Sequence, residues 1–175
     1  STDVDAVILD LRNNGGGALI EANKIIGLFV SSGPTVQVKQ RRGSIQYYGD
    51  NNAVQVWKKP LIVLVNRYSA SASEIVAGAI QDYRRGLIVG HRTFGKGTVQ
   101  SIENLSEGQI KITESKYYRV NGMSTQNKGV VPDIELPSTW DINTVGESSY
   151  PTALSWDVIR PYQHKKFKMD NELIN

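Results

Sequence analysis

The chain opens with a buried-strand pattern, a glycine run and a helical pattern in direct succession. Residues 6–11 (AVILDL) form a short, continuous apolar run with the β-branched residues of a buried strand. Residues 13–17 (NNGGG) are typical of a turn, and residues 18–30 carry apolar side chains at helical spacing. A strand, a glycine turn and a helix in this order indicate a strand-helix unit of an α/β protein.

Strand and helix patterns continue to alternate along the chain. A hairpin pattern surrounds Arg42 and Gly43, and a helical stripe that begins after Ser71 ends in the basic turn and glycine stop of residues 84–86. The remaining strand patterns are residues 61–65, 86–90, 98–102, 109–120 and 130–136. These repeated units predict an α/β fold in which mixed β-sheets and flanking helices form layers.

Length and composition indicate one globular domain with a C-terminal extension. The 175 residues are 39% hydrophobic, which is enough for one sizeable core. Beyond Pro137 the alternating pattern decays, so we expect a core over residues 1–137 and an extension over residues 138–175 that drapes on the core or leaves it. No apolar run approaches the roughly 20 residues of a membrane-spanning helix. The chain begins without a methionine or signal peptide, which is typical of a piece of a longer protein.

Composition and motif spacing disfavour several function classes. There is no cysteine, so disulfides, thiolate metal sites and a cysteine nucleophile are excluded. The chain has two histidines, His91 and His164, and this small number disfavours a histidine-based triad or a zinc site. The net charge is +3, and the basic cluster at 164–168 is more typical of a solvated tail than of a nucleic-acid patch. The glycine segments 15–17 and 95–98 lack the spacing of nucleotide-binding loops. We therefore expect no cofactor, no metal and no nucleic acid.

Residues 69–74 (SASASE) allow two interpretations. Ser71 and Glu74 fit a capping box, in which the glutamate side chain reaches back to the N–H of the capping residue. The same position also suits a nucleophile, because free N–H groups and the helix dipole favour an oxyanion. A lysine that apolar surroundings keep neutral can activate a hydroxyl, and Lys96, near Phe94 and between two glycines, is the candidate. An ordinary exposed loop lysine is the alternative.

Five segments taken together resemble one known family. They are residues 9–22 (LDLRNNGGGALIEA), 61–83 (LIVLVNRYSASASEIVAGAIQDY), 89–100 (VGHRTFGKGTVQ), 117–134 (YYRVNGMSTQNKGVVPDI) and 155–157 (SWD). The combination closely resembles the protease domain of the tail-specific proteases, also called C-terminal processing peptidases, from about Asp5 to Trp156. The resemblance implies a serine–lysine mechanism on a layered α/β fold related to crotonases and Clp-type serine proteases.

The resemblance implies roles for three side chains. Ser71 matches the nucleophile, Lys96 matches the base 25 residues further on, and Gln100 matches the residue that assists the lysine. In a regular strand Lys96 and Gln100 lie about 13 Å apart, at roughly 3.3 Å per residue. Direct contact between them therefore requires a bend, which Gly97 can provide.

The resemblance also implies an oxyanion hole and a supporting residue. The oxyanion donors of the family match the backbone N–H of Ala72 and one N–H of the glycine turn. The second donor is the N–H of either Gly16 or Gly17, and the sequence does not decide between them. Asp82 matches a family position that is important for activity, but eleven residues of helix place it about 16 Å from Ser71. We expect Asp82 to support structure or a neighbouring element.

The resemblance implies a serine endopeptidase that cleaves unfolded or apolar-tailed proteins near the C-terminus and is exported to a bacterial periplasm or cell envelope. Family members usually carry a PDZ domain, which binds an apolar C-terminus as an added strand, and we expect that module in the longer protein. The oligomeric state stays open. The alternatives are a non-catalytic ligand- or partner-binding module, in which the serines only cap a helix, and a crotonase-like acyl-CoA enzyme.

Overall fold

The computed structural model describes residues 4–138, 140–141 and 143–167, and it builds them from two four-stranded sheets and two α-helices. The strands are β1 Val7–Asp10, β2 Val36–Gln40, β3 Ile45–Tyr48, β4 Leu61–Val65, β5 Leu87–Gly90, β6 Thr98–Asn104, β7 Gln109–Tyr118 and β8 Ile134–Glu135. The helices are α1 Leu19–Gly27 and α2 Ala72–Asp82, and a short 3-10 helix lies at Glu147–Ser149. The α/β class predicted from the alternating patterns is confirmed.

The first sheet is parallel and brings three loops to one edge. Its strand order is β1-β4-β5-β8, and each neighbouring pair is parallel. The carboxyl ends of β1, β4 and β5 therefore point the same way. The glycine turn follows β1, the serine segment follows β4 and the loop of Lys96 follows β5. These three segments leave the sheet at the same edge, where ligands of open α/β sheets usually bind.

The core lies on one face of the parallel sheet. Val63, Val65 and Ile88 are fully buried there. Helix α2 packs against β5 and against α1, and its Ile80 is also fully buried. Alternate residues of β4, such as Ile62, are only half-buried on the opposite face. None of the helices in the described part of the chain is long and apolar enough to span a bilayer.

The second sheet is antiparallel and contributes Val36, Val38 and Tyr117 to the same hydrophobic core as the first sheet. Its order is β3-β2-β7-β6, so that β6 is an edge strand. The predicted hairpin around Arg42 and Gly43 is confirmed by the pairing of Val36 with Tyr48. Strand β6 begins at Thr98, directly after the loop that carries the candidate lysine. The second sheet thus continues from one of the three convergent loops.

Helix α2 ends earlier than the sequence pattern predicts. Its last residue is Asp82, and Arg84 takes a left-handed φ of 55°. The N–H groups of Arg84 and Arg85 bond back to carbonyls of the last turn, as in a Schellman motif. The prediction of a glycine stop at Gly86 was therefore wrong. Gly86 lies against β4 instead, where a Cβ would come within 2.5 Å of the Leu61 carbonyl oxygen.

The chain beyond Pro137 follows the surface of the core where it is described. The indole N–H of Trp156 donates to the Ser124 carbonyl at 2.9 Å, and the N–H of Phe167 donates to the Tyr83 carbonyl at 2.8 Å. The division into core and extension stays a prediction. Lys168, the last member of the predicted basic cluster, lies outside the described residues.

Candidate active site

The glycine turn is fastened directly to the serine segment. The carbonyl oxygen of Asn14 accepts hydrogen bonds from the N–H of Ala70 and from the hydroxyl of Ser73, both at 3.0 Å. The hydroxyl of Ser69 donates to the Leu11 carbonyl at 2.8 Å. Two of the three serines are thus occupied by holding the loop that follows β1. The third, Ser71, lies between them.

Ser71 has a strained backbone at the start of α2. It is the residue immediately before the helix, with φ 57° and ψ −115°. A residue with a side chain rarely adopts this conformation, which costs about 1–3 kcal/mol and persists only where the surrounding structure holds it. A serine on a sharp, strained turn between a strand and a helix is the arrangement of hydrolase nucleophile elbows. The geometry thus presents the Ser71 hydroxyl at the helix N-terminus.

Gly16 lies against the backbone of the candidate nucleophile. Its φ is 104°, and a Cβ there would come within 2.7 Å of the Ala70 carbonyl oxygen, 2.8 Å of the Ser71 Cβ and 2.9 Å of the Ala72 nitrogen. Only glycine fits this close approach. The glycine turn therefore runs directly beside the amide of Ala72.

Two backbone N–H groups beside Ser71 have no acceptor in the part of the protein that the structure describes. The N–H of Gly16 donates to the Asn14 side-chain oxygen at 2.9 Å. Among the described residues, the N–H groups of Gly17 and Ala72 have no acceptor. Both residues line one cavity of about 130 Å³, whose apolar wall includes Leu11, Ala22, Ile25 and Val76. Of the two glycines that the sequence left open, Gly17 has the N–H that is available to a ligand.

The loop of Lys96 is held from both sides. The N–H of Gly97 donates to the Gln126 side-chain oxygen, and the N–H of Asn127 donates to the Gly95 carbonyl, both at 2.8 Å. Lys96 itself is half-buried. Burial lowers its pKa, and the charge of Lys111 lowers it further, whereas nearby carboxylates act in the opposite direction. A lysine in this setting is more easily neutral than an exposed one.

Glu74 connects the serine segment to the lysine loop. Its Oε2 accepts hydrogen bonds from the N–H of Ser71 at 2.8 Å and from the N–H of Lys96 at 2.9 Å. Its Oε1 accepts from the hydroxyl of Thr93 at 2.6 Å and from the N–H of Gly95 at 2.7 Å. The side chain is fully buried, and this burial raises the pKa of Glu74 to about 7 against the opposing effect of the four hydrogen bonds. The predicted capping box of Ser71 and Glu74 is confirmed, and its bond to the Ser71 N–H is one of the four that this carboxyl group accepts.

Tyr117 makes a second connection between the same two residues. Its hydroxyl lies within hydrogen-bond distance of the carbonyl oxygen of Ser71, at 3.2 Å, and of the carbonyl oxygen of Lys96. Burial raises the pKa of Tyr117 well above its usual value, so the hydroxyl keeps its proton. In the sequence Tyr117 is one residue of a predicted strand, and no neighbouring motif indicates its contact with Ser71 and Lys96.

The structure joins Ser71 and Lys96 through their backbones. Within the described chain, no hydrogen bond links the Ser71 hydroxyl to the Lys96 ammonium group. Catalytic hydrogen bonds often form only when substrate binds. Gln100 is exposed, and its amide donates to the Thr113 hydroxyl at 3.1 Å, beyond an irregularity of β6 between Val99 and Gln100. In the described chain Gln100 therefore bonds to Thr113 and not to Lys96.

Asp82 lies at the opposite end of α2 from Ser71. Its carboxylate accepts from the Arg119 guanidinium at 2.5 Å and from the Asn121 side-chain amide at 2.8 Å. Asp82 is buried, and only 11% of the Arg119 side chain is exposed. The ring of His164 contacts the Asp82 carbonyl at 3.0 Å. Asp82 thus connects the end of α2 to the turn that follows β7, and its supporting role in activity stays a prediction.

Comparison with known families decides the classification. Residues 1–136 match the model of peptidase family S41. The chain belongs to peptidase family S41. The resemblance to tail-specific proteases, seen first in the motifs around Ser71 and Lys96, is thereby confirmed.

The S41 chain is similar to bacterial and photosynthetic processing proteases. It is 50% identical over 164 residues to the tail-specific protease of Haemophilus influenzae, covering 89% of this chain and 24% of the relative. It is 39% identical over 155 residues to the carboxyl-terminal-processing protease of Synechocystis, covering 86% of this chain and 36% of the relative. The solved photosystem II D1 C-terminal processing protease superposes with a TM-score of 0.68 at 41% identity, covering 76% of this chain and 35% of that one. The S41 chain thus spans between about a quarter and a third of the length of these proteins.

Proposed function

We propose that this chain is the catalytic part of a serine endopeptidase in which Ser71 is the nucleophile and Lys96 is the general base. One observation carries the proposal: three loops at one edge of the parallel sheet converge on Ser71. They supply its strained backbone, a half-buried lysine whose pKa is lowered, and two N–H groups that have no acceptor among the described residues. A nucleophile, a base and oxyanion donors are the parts that acyl transfer requires.

The reaction begins with proton transfer from the Ser71 hydroxyl to neutral Lys96. The Ser71 Oγ attacks the peptide carbonyl carbon, and the N–H groups of Ala72 and Gly17 donate to the resulting oxyanion. Gly17 takes this role because the N–H of Gly16 already donates to Asn14. The C–N bond then breaks, and Lys96 returns the proton to the leaving amine. Water, deprotonated by Lys96, hydrolyses the acyl ester and frees Ser71.

Gln100 enters this scheme only in the substrate-bound enzyme. Its side chain is exposed and bonded to Thr113, so a shift of β6 at the Val99 irregularity is needed before it reaches Lys96. Asp82 acts at a distance by holding the end of α2. Both roles follow from the match of Gln100 and Asp82 to the family pattern.

We infer that the substrates are unfolded or apolar-tailed polypeptides cut near the C-terminus. The names of the relatives, tail-specific protease and carboxyl-terminal-processing protease, support this substrate class. The cavity beside Ala72 and Gly17 supports it too, because its small size and apolar wall suit a small apolar side chain next to the scissile bond. A PDZ domain elsewhere in the longer protein would capture the tail, in a bacterial periplasm or cell envelope.

Cleavage of a designed unfolded protein tests the proposed function. The full-length protein is incubated with a permanently unfolded polypeptide that ends in alanine and valine residues, and with a version that ends in aspartates. We expect fragments from the apolar version, slower cleavage of the acidic one, and no cleavage by Ser71→Ala. Ser44→Ala, an exposed hairpin serine, is the matched control and should cleave normally.

Each result separates the proposal from its alternatives. Cleavage that survives Ser71→Ala would remove Ser71 from the mechanism. Tight binding of the apolar tail with no cleavage by the parent would instead support the non-catalytic binding module. Equal cleavage of the apolar and acidic versions would contradict the substrate class while leaving the protease assignment in place.

A further inference from the structure

We propose that Glu74 is a positioning residue for this reaction: its ionised carboxylate holds the nucleophile segment and the lysine loop in register, and protonation loosens that hold. The inference rests on the proposed function of Ser71 and Lys96. We call the Glu74 carboxylate and its four donors, at Ser71, Thr93, Gly95 and Lys96, the Glu74 clamp.

The Glu74 clamp uses the full hydrogen-bonding capacity of one carboxylate. An ionised carboxylate has about four acceptor sites and no donor. All four are occupied here, at distances from 2.6 to 2.9 Å, by one residue of the serine segment and three of the loop after β5. Hydrogen bonds to an ionised acceptor are roughly twice as strong as neutral ones. The two segments are thus joined by charge-assisted bonds at a single side chain.

The clamp acts on backbone atoms of the reacting residues. Oε2 receives the N–H of Ser71 and the N–H of Lys96, so the two backbones are held at a common oxygen. The single O–H of Tyr117 lies within hydrogen-bond distance of the carbonyl oxygens of the same two residues. The strained φ of Ser71 needs such support to persist. A shift of this connection changes the separation between nucleophile and base directly.

Protonation changes what the clamp can hold. A carboxylic acid carries one O–H donor, and the N–H groups of Ser71, Gly95 and Lys96 cannot accept it. Thr93 alone can, but its hydroxyl already accepts from the N–H of Val130 at 2.7 Å and must then turn its own hydrogen elsewhere. The remaining bonds become neutral and lose much of their strength. The clamp therefore loosens without any change in the fold around it.

The groups around Glu74 determine the pH at which its carboxylate is protonated. Arg67, after β4, and Lys96, before β6, interact with the Glu74 charge and favour its ionised form. Tyr117, on β7, faces it as an uncharged phenol. Glu147, in the 3-10 helix, interacts with both Lys96 and Tyr117. Because burial outweighs the opposing effect of the four hydrogen bonds, the pKa of Glu74 rises to about 7, and its ionisation changes near neutral pH.

Amide hydrogen exchange in the full-length protein tests the clamp without relying on activity. The exchange of Ser71 and Lys96 is measured at about pH 5.5 and about pH 8.5, corrected for the intrinsic rate, which brackets the ionisation of Glu74. We expect protection about tenfold greater at the higher pH, and loss of protection at both values in Glu74→Gln. The N–H of Gly97, which donates to Gln126, is the internal control and should stay protected throughout. Equal protection at both pH values in the parent would overturn the proposal, and this comparison needs no variant.

Kinetics separate positioning from general support of the fold. In Glu74→Gln we expect kcat to fall by about 10²-fold with KM within about threefold, because the reacting groups are displaced while the substrate cleft remains. Glu114→Gln, an exposed glutamate on β7, is the matched control and should keep the parental kcat. A Glu74→Gln enzyme with parental kcat would overturn the proposal. If the parent cleaves no polypeptide, the proposed function fails, whereas the exchange measurement still decides the role of Glu74.

Discussion

Lys96→Met is expected to lower cleavage by about 10³-fold, within the range typical of a lost general base. Methionine matches lysine in length and flexibility but cannot accept the Ser71 proton. Lys96→Arg should be equally inactive, because a guanidinium stays protonated at any working pH. Both variants should fold normally, since the loop is held by backbone and neighbouring side chains at Gly95 and Gly97. Steady-state cleavage with circular dichroism as the folding control makes the comparison.

The pH dependence of cleavage also tests Lys96 as the base. The base must be neutral, so activity rises with pH as Lys96 loses its proton. Burial and the charge of Lys111 lower the pKa of Lys96, which moves this rise toward lower pH. In Lys111→Met the pKa of Lys96 should increase, and the rise should move to higher pH with the plateau unchanged. Cleavage by Lys96→Met within tenfold of the parent, or a shift to lower pH in Lys111→Met, would contradict the assignment of Lys96 as the base.

Gly16→Ala should reduce kcat/KM by about 10²- to 10³-fold, the loss typical of one oxyanion donor. The new Cβ would meet the Ala70 carbonyl oxygen at 2.7 Å and the Ala72 nitrogen at 2.9 Å. Both are backbone atoms, which cannot turn aside as a flexible side chain can. A φ of 104° adds strain that alanine rarely tolerates. The glycine turn must therefore move away from the start of α2, which separates the N–H of Gly17 from the N–H of Ala72.

Gly15→Ala provides a matched control for that variant. Gly15 is the adjacent glycine of the same turn, and the position that a methyl group would take there has no atom of a more distant residue within 4 Å. Its φ is also not positive, so alanine can adopt its backbone conformation. We expect Gly15→Ala to keep cleavage within about threefold of the parent. If Gly16→Ala were as active as Gly15→Ala, the glycine turn would not form part of an oxyanion hole.

Local patterns were sufficient to predict the parts of the fold that depend on neighbours in sequence. The strand at 61–65 has the bounds that its apolar run indicates, and the helical stripe after Ser71 forms α2. The end of helix α2 could not be predicted from its neighbours in sequence. Gly86 is required for close approach to β4, a contact with a strand far away in the sequence, while Arg84 takes the left-handed position.

The candidate site was predictable in its motifs and unpredictable in its connections. The capping-box spacing identifies Glu74 as a partner of Ser71, but its bonds to Thr93, Gly95 and Lys96 arise because β4 and β5 are neighbours in the sheet. The choice between the two glycine donors depends on one hydrogen bond to the Asn14 side chain, which spacing does not reveal.

Trapping the acyl-enzyme identifies the nucleophile itself. The protein is mixed with a p-nitrophenyl ester of an N-blocked alanine and quenched in acid, and the acylated residue is identified by peptide mass mapping. We expect one hydroxylamine-sensitive ester on Ser71, absent from Ser71→Ala and much slower to form in Lys96→Met. An ester on another residue, or proteolytic activity with Ser71 never acylated, would contradict the serine–lysine mechanism.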